Sequence, residues 1–298
     1  MSKKVLLKLI PLAVATAMLA GCFGDDDNNN DNGPAATTGK AVDFYLKGAT
    51  VTFANSSVCA ATTTDANGNF TAPKGAACGA ATVTGGTDIA TNLPFTGKLT
   101  APAGATIVSP VTTLVQALVA SGQSEAAANE LVKSKLGLTK DPATTDPLTD
   151  PAALAKAQAL VQIAQQTAAV VTKAQTSANF ADVFAKTLET AAKSLSTASS
   201  ITNTTFVQSV IATTASASLS SSTAANNLAA ITAAKIAEIA TAAETQITSV
   251  QAQLAGKDAS TALALLTNGN VDSNIKTLTE QATTLANAVA TVNLSTVT

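Results

Sequence analysis

The sequence predicts an α+β protein in which a small N-terminal β-sandwich is followed by a larger α-helical bundle. Three observations carry that expectation. Between residues 41 and 104, short runs rich in Val, Phe, Tyr and Thr are broken by Gly, Asn and Pro, the pattern of half-buried strands separated by turns. From Asp150 onward, apolar residues recur at steps of three and four, the period of helices that pack through one face. Between the two lie Asp141-Pro142, Asp146-Pro147 and Asp150-Pro151. A residue that precedes proline is pushed out of helical geometry, so the boundary falls there.

Within the strand-rich part, Val42, Phe44 and Leu46 alternate with polar or less apolar neighbours, and Thr50-Val51-Thr52-Phe53 repeats the pattern. Both runs are expected to be strands with one buried face. Asn67-Gly68, ahead of Phe70, is a strong hairpin-turn signal. The run Val42-Asp43-Phe44-Tyr45-Leu46-Lys47-Gly48-Ala49-Thr50-Val51, followed by Thr63-Thr64-Asp65-Ala66-Asn67-Gly68-Asn69-Phe70, resembles the carboxypeptidase-regulatory-like, prealbumin-type β-sandwich modules of bacterial surface proteins. In those modules a Gly-Ala-x-Val strand precedes a Thr-Asp-x-Asn-Gly-x-Phe hairpin. The resemblance implies a structural or adhesive module over residues 41–104 and brings no catalytic residues with it.

Gly85-Gly86-Thr87-Asp88, Pro94-Phe95-Thr96-Gly97 and Leu99 to Gly104 lead into Val108 to Leu114. This stretch also looks like the continuation seen in large bacterial adhesin-type proteins, where the sandwich passes into short helices, and residues 105–140 are expected to be a short helical connector. Ser109 as cap and Pro110 in the first helical position predict a helix from Pro110 to Ala120. Glu125 to Leu136 predicts a second, stopped by Gly137. Asp150 then caps a new helix opened by Pro151, and the bundle is expected over residues 150–298.

Four stripes define that bundle. Leu154, Ala157, Val161, Ala164, Ala168 and Val171 form the first, and Phe180, Phe184, Leu188, Ala191 and Leu195 the second. Ile236, Ile239, Ala243, Ile247, Val250 and Leu254 form the third. Val271, Ile275, Leu278, Ala282, Leu285, Val289 and Val292 form the fourth. Alanine at several contact positions predicts helices packed closely at shallow angles. Shorter helices are expected at Asn203 to Ser218 and Asp258 to Leu266, set off by Ser/Thr/Asn/Gly segments such as Asn268-Gly269-Asn270.

The beginning of the chain addresses location. Lys3, Lys4 and Lys8 precede an apolar run from Leu9 to Leu19, the layout of a secretory signal peptide over residues 1–21. The run is too short to span a bilayer. Leu19-Ala20-Gly21-Cys22 resembles the lipobox of bacterial lipoproteins, which implies that Cys22 is acylated, with palmitate-type chains, and begins the mature protein. By the same resemblance, Phe23 after the cysteine points to the outer membrane, and the acidic residues that follow are similar to surface-export signals. Residues 22–40, where Asp25 to Asn32 is only Asp and Asn, have nothing to bury and are expected to be a solvated tether with a typical reach of ~25 Å.

Acylation of Cys22 leaves Cys59 and Cys78 as an even pair. In an oxidising compartment the two are expected to bridge, and two buried thiols are the alternative.

Composition narrows the function. The 17 cationic residues are all lysine, and the net charge is -2, so the chain lacks the clustered cations that phosphate backbones require and no nucleic acid is expected. There is no histidine, which removes the usual base for Ser or Cys nucleophiles. Ser273 and Lys276 match Ser-x-x-Lys, but the rest of that catalytic set is missing. Gly33 to Lys40 has the wrong spacing for a phosphate loop. The Asp/Asn ladder from Asp25 to Asn32 lacks the glycine bend and terminal glutamate of a calcium loop, and Asp65, Asn67 and Asn69, which could meet a cation weakly, are explained by turn chemistry. One Tyr and no Trp leave little platform for sugars. No metal, cofactor or catalysis is expected.

The resulting expectation is an outer-membrane, surface-exposed lipoprotein with a structural, adhesive or envelope-interaction role. Its partners would be the membrane, through the N-terminal lipid, and an envelope protein or extracellular polymer. The alternatives are a periplasm-facing lipoprotein that holds an apolar ligand in its bundle, or a subunit of an extracellular filament or envelope complex.

Overall fold

Among the described residues, nine strands come first and six α-helices follow. The computed structural model describes residues 34–220, 222–258, 260–261 and 264–265. The strands are β1 (Thr37–Ala41), β2 (Leu46–Lys47), β3 (Thr50–Phe53), β4 (Thr62–Thr63), β5 (Asn69–Ala72), β6 (Ala81–Thr84), β7 (Thr87–Asp88), β8 (Lys98–Ala101) and β9 (Ile107–Val108). The helices are α1 (Pro110–Ala120), α2 (Glu125–Leu136), α3 (Pro151–Ala174), α4 (Phe180–Ser194), α5 (Thr204–Ser218) and α6 (Ser222–Leu254). The fold is therefore α+β. The leader, the tether up to Gly33 with Cys22, the stripe from Val271 to Val292, and Ser273 with Lys276 lie outside the described residues.

The largest sheet has the order β4-β3-β6-β8, with every pair antiparallel. Alternation explains it. Val51 pairs with Val83, which pairs with Leu99, and all three are fully buried. On the opposite face Thr50, Thr52, Thr82 and Thr84 are exposed or half-exposed, as β-branched residues on a solvated sheet face should be. A second sheet, β5-β1-β9, mixes an antiparallel pair with a parallel one, and β2 pairs with β7 on its own.

Two expectations about the strands need correction. Val42, Phe44 and Leu46 do not share a strand: β1 ends at Ala41, residues 42–45 form a turn, and β2 starts at Leu46. The alternation was misleading because every residue from Ala41 to Leu46 is buried, polar Asp43 included. The strand lies earlier, in Thr37 to Ala41, so the end of the segment read as tether is paired with β5 and β9. Secondly, Asn67-Gly68 makes a tight turn, closed by the Asp65 N–H donating to the Asn69 carbonyl, with Gly68 at φ 77°. It is not a hairpin within one sheet, because β4 pairs with β3 while β5 pairs with β1.

Gly39 in β1 is required by close approach. It sits opposite Phe70, and a Cβ there would lie 2.4 Å from Phe70 Cζ. The Phe70 ring fills that space and reaches Phe53 of the larger sheet, with centroids 6.3 Å apart.

Helix ends follow the local chemistry. The Ser109 hydroxyl accepts the Thr112 N–H, and the Thr112 side chain accepts the Ser109 N–H, a reciprocal capping box with Pro110 next in line. Ser124 caps α2, which stops at Gly137 in the left-handed region (φ 67°), and Asp150 caps α3. The first stripe is buried in full along α3. Of the second, Phe184, Leu188, Ala191 and Leu195 are buried, and of the third, Ile239, Ala243, Ile247, Val250 and Leu254 are. Helix α3 packs chiefly on α6 and α4, and α5 on α6 and α4.

The strands and the helices share one continuous buried core. Phe95 meets Phe184 of α4 edge-to-face at 5.8 Å, and Lys98 of β8 pairs with Asp182 of α4 at 2.8 Å. Helix α1 bonds to β8 through Thr113 Oγ1, which accepts the Thr100 N–H at 2.9 Å and donates to the Thr100 carbonyl at 3.1 Å.

Candidate functional site

Of the residues singled out by sequence, Cys59 and Cys78 are brought together. They form a disulfide with Cα atoms 5.3 Å apart, both sulfurs' residues buried. The bridge anchors the loop between β3 and β4 to the short 3-10 turn Gly75–Cys78. The loop itself faces outward: Asn55, Ser56, Ser57 and Val58 are exposed, Val58 by 45%. Its conformation is fixed by Asn55, whose carbonyl accepts the N–H groups of Val58 and Cys59 and whose side-chain amide donates to the Ala77 carbonyl.

Asp65, Asn67 and Asn69 also converge, but on one another. Asp65 Oδ1 accepts the N–H groups of Asn67 and Asn69, and Oδ2 accepts from the Asn69 side chain at 2.9 Å. These bonds hold the Asp65 carboxyl below its usual range, and turn geometry accounts for all of them. Among the described residues, no group of three or more His, Cys, Asp or Glu could hold a metal ion.

The polar cluster that sequence reasoning missed lies where the strand region meets α3. Asp43, in the turn between β1 and β2, is 7% exposed, Asp88 at the end of β7 is 3% exposed, and Gln158 on α3 is 3% exposed. Gln158 Nε2 donates both to the Asp43 carbonyl and, at 2.8 Å, to Asp43 Oδ1. Asp88 is richly solvated by protein: Oδ2 accepts the Phe44 N–H at 2.8 Å, and Oδ1 accepts from Ala90 N, Thr91 N and the Thr91 hydroxyl. Burial pushes both carboxyl groups up. For Asp43 the neighbouring Asp88 charge adds to burial while Gln158 opposes it, leaving the group at about 8. For Asp88 its four donors work against burial.

A second cluster ties the same turn to the segment ahead of α3. The Tyr45 hydroxyl donates to both Asp146 oxygens, and Lys40 Nζ lies 3.3 Å from Asp146 Oδ2 and 4.2 Å from the Tyr45 ring centroid. Burial and the Asp146 carboxylate raise the Tyr45 phenol well above its usual range. No motif search finds either cluster, since the partners stand 44 to 115 residues apart. The only local signal is an aspartate inside an otherwise apolar run.

Between the two larger sheets, a cleft lined by Gly39, Phe53, Phe70, Gly75 and Ala105 has about 10 Å³ of free volume, room for about one water. Among the described residues no helix is long and apolar enough to cross a membrane. Compared with known proteins, the chain matches no family model, no curated protein and no solved structure.

Proposed function

We propose that this chain is an envelope lipoprotein, held at the outer membrane through acyl chains on Cys22, whose folded part serves a structural or adhesive role at the cell surface without catalysis. The observation that carries the reading is the Cys59–Cys78 disulfide. Such bridges form and persist in oxidising compartments, as the export signal over residues 1–21 and the Leu19-Ala20-Gly21-Cys22 run require.

The strand region is read as a β-sandwich of the carboxypeptidase-regulatory-like, prealbumin type. In favour stand the two larger sheets, whose Phe53 and Phe70 rings meet between them, and the turn from Asp65 to Asn69 that passes the chain from one to the other. The disulfide-stapled loop from Asn55 to Val58 offers hydroxyl, amide and one exposed aliphatic group on a fixed backbone, chemistry suited to polar polymers or protein surfaces.

Protease shaving of intact cells, with and without the Cys22→Ser substitution, tests the reading. Loss of the folded part from wild-type cells and its release into soluble fractions for the variant is the expected result. Full protection of the wild-type protein would remove the surface-adhesive role.

A further inference from the structure

We propose that the contact between Asp43 and Gln158 is a proton-operated latch, closed while Asp43 carries a proton and loosened when that proton is lost, which sets how firmly the β1–β2 turn is held on α3.

Donor counting assigns the proton. Two carboxyl groups, both more than nine-tenths buried, lie close enough for one charge to act on the other. Asp88 receives four N–H or O–H donors, the coordination that an anion needs when water is excluded. Asp43 receives one side-chain donor, from Gln158, so it is the poorer anion and keeps the proton.

Among the described residues, the surroundings offer no cation to replace that proton. Lys40 on β1 is engaged by Asp146, Lys47 on β2 is exposed, and Lys156 on α3 is half-buried, two residues from Gln158. Asp150, below α3, is committed to the Ala153 N–H as a helix cap. Of these charged groups and Asp88, it is Asp88 that acts on Asp43.

Loss of the Asp43 proton to solvent leaves two buried anions that repel each other. Separation of the turn from α3 admits water and relieves both the desolvation and the repulsion. The sign follows from linkage: the closed state binds the proton more tightly than the open one, so closure weakens as pH rises from the ordinary aspartate range and the effect levels off above the closed-state value of about 8.

Amide hydrogen exchange on the full-length folded protein, corrected for intrinsic exchange, reads the latch directly. From pH 6 to 8 the opening constant for residues 42–46 and 154–162 should rise about tenfold per pH unit, the one-proton slope, and then flatten. Asp43→Asn keeps the acceptor for Gln158 and cannot ionise, so its profile should be flat. Asp88→Asn, which removes the opposing charge, should move the flattening point to lower pH. A flat wild-type profile overturns the proposal, as does an unchanged slope in Asp43→Asn. An equal rise at β3 and β6 amides would also overturn it, because that is global unfolding. If either variant fails to fold, the wild-type profile still decides.

Discussion

The Tyr45 hydroxyl bridges both oxygens of the Asp146 carboxylate, at 2.8 and 2.7 Å, across 101 residues of chain. One phenol thereby pins the turn after β1 to the proline-rich segment that launches α3, and Lys40 closes the triangle by ion pair and ring contact. Tyr45→Phe removes the bond and leaves a carboxylate short of a donor, so it should cost about 1.5 kcal/mol in urea unfolding. As Tyr45 is the chain's single tyrosine, absorbance near 295 nm reports it alone. The folded phenol, raised first by burial and then by Asp146, should stay protonated past pH 10. The contribution to stability is complete below the unfolded phenol's pKa of about 10 and is lost as pH climbs above it. Titration of the native protein near pH 10 would contradict the bridge.

The Cys59–Cys78 bridge closes a loop with a sequence separation of 19. By loop-closure entropy, replacing both cysteines with serine should lower stability by ~3 kcal/mol. A guanidinium midpoint that moves little would show that the loop from Asn55 to Val58 is held by Asn55's hydrogen bonds rather than by the sulfurs.

Gly39 and Phe70 are a matched pair. Gly39→Ala places a methyl group 2.4 Å from Phe70 Cζ and should cost about 1–3 kcal/mol through displacement of the ring. Combining it with Phe70→Leu, which vacates that space, should give a cost smaller than the sum of the single changes. Strict additivity in this double-mutant cycle would refute the close approach.

Local chemistry made much of the fold readable. Ser109-Pro110, Ser124 with Gly137, and Asp150-Pro151 mark their helix ends because capping is decided by neighbours three or four residues away. The α3 stripe was equally plain, since Leu154, Ala157, Val161, Ala164, Ala168 and Val171 face one core. The turn at Asp43 was not. Its backbone is shaped by Asp88 taking the Phe44 N–H and Gln158 reaching the Asp43 carbonyl, and neither partner is signalled by any pattern near residue 43. The hairpin expected at Asn67-Gly68 failed for a related reason. The turn type is local, but the sheet that each strand joins is set by Phe70 packing under Gly39.

Helix α6 carries an amide that the core does not satisfy. Gln246 is fully buried, and among the described residues neither its Oε1 nor its Nε2 has a hydrogen-bond partner. A buried unpaired polar group costs about 1–3 kcal/mol, so Gln246→Leu, which replaces the amide by apolar carbon, should stabilise the protein by about 1 kcal/mol. A comparable loss in thermal or urea unfolding would show that the amide is doing bonding work inside the bundle.

The proposed function turns on the sulfur of Cys22. Intact and peptide mass spectrometry of the protein extracted from its native membranes tests it most directly. The expected species begins at Cys22 and carries acyl chains removable only by cleavage of ester, amide or thioether linkages. A polypeptide that begins at Met1, or one that begins elsewhere with an unmodified Cys22, would contradict the anchor and with it the proposed function.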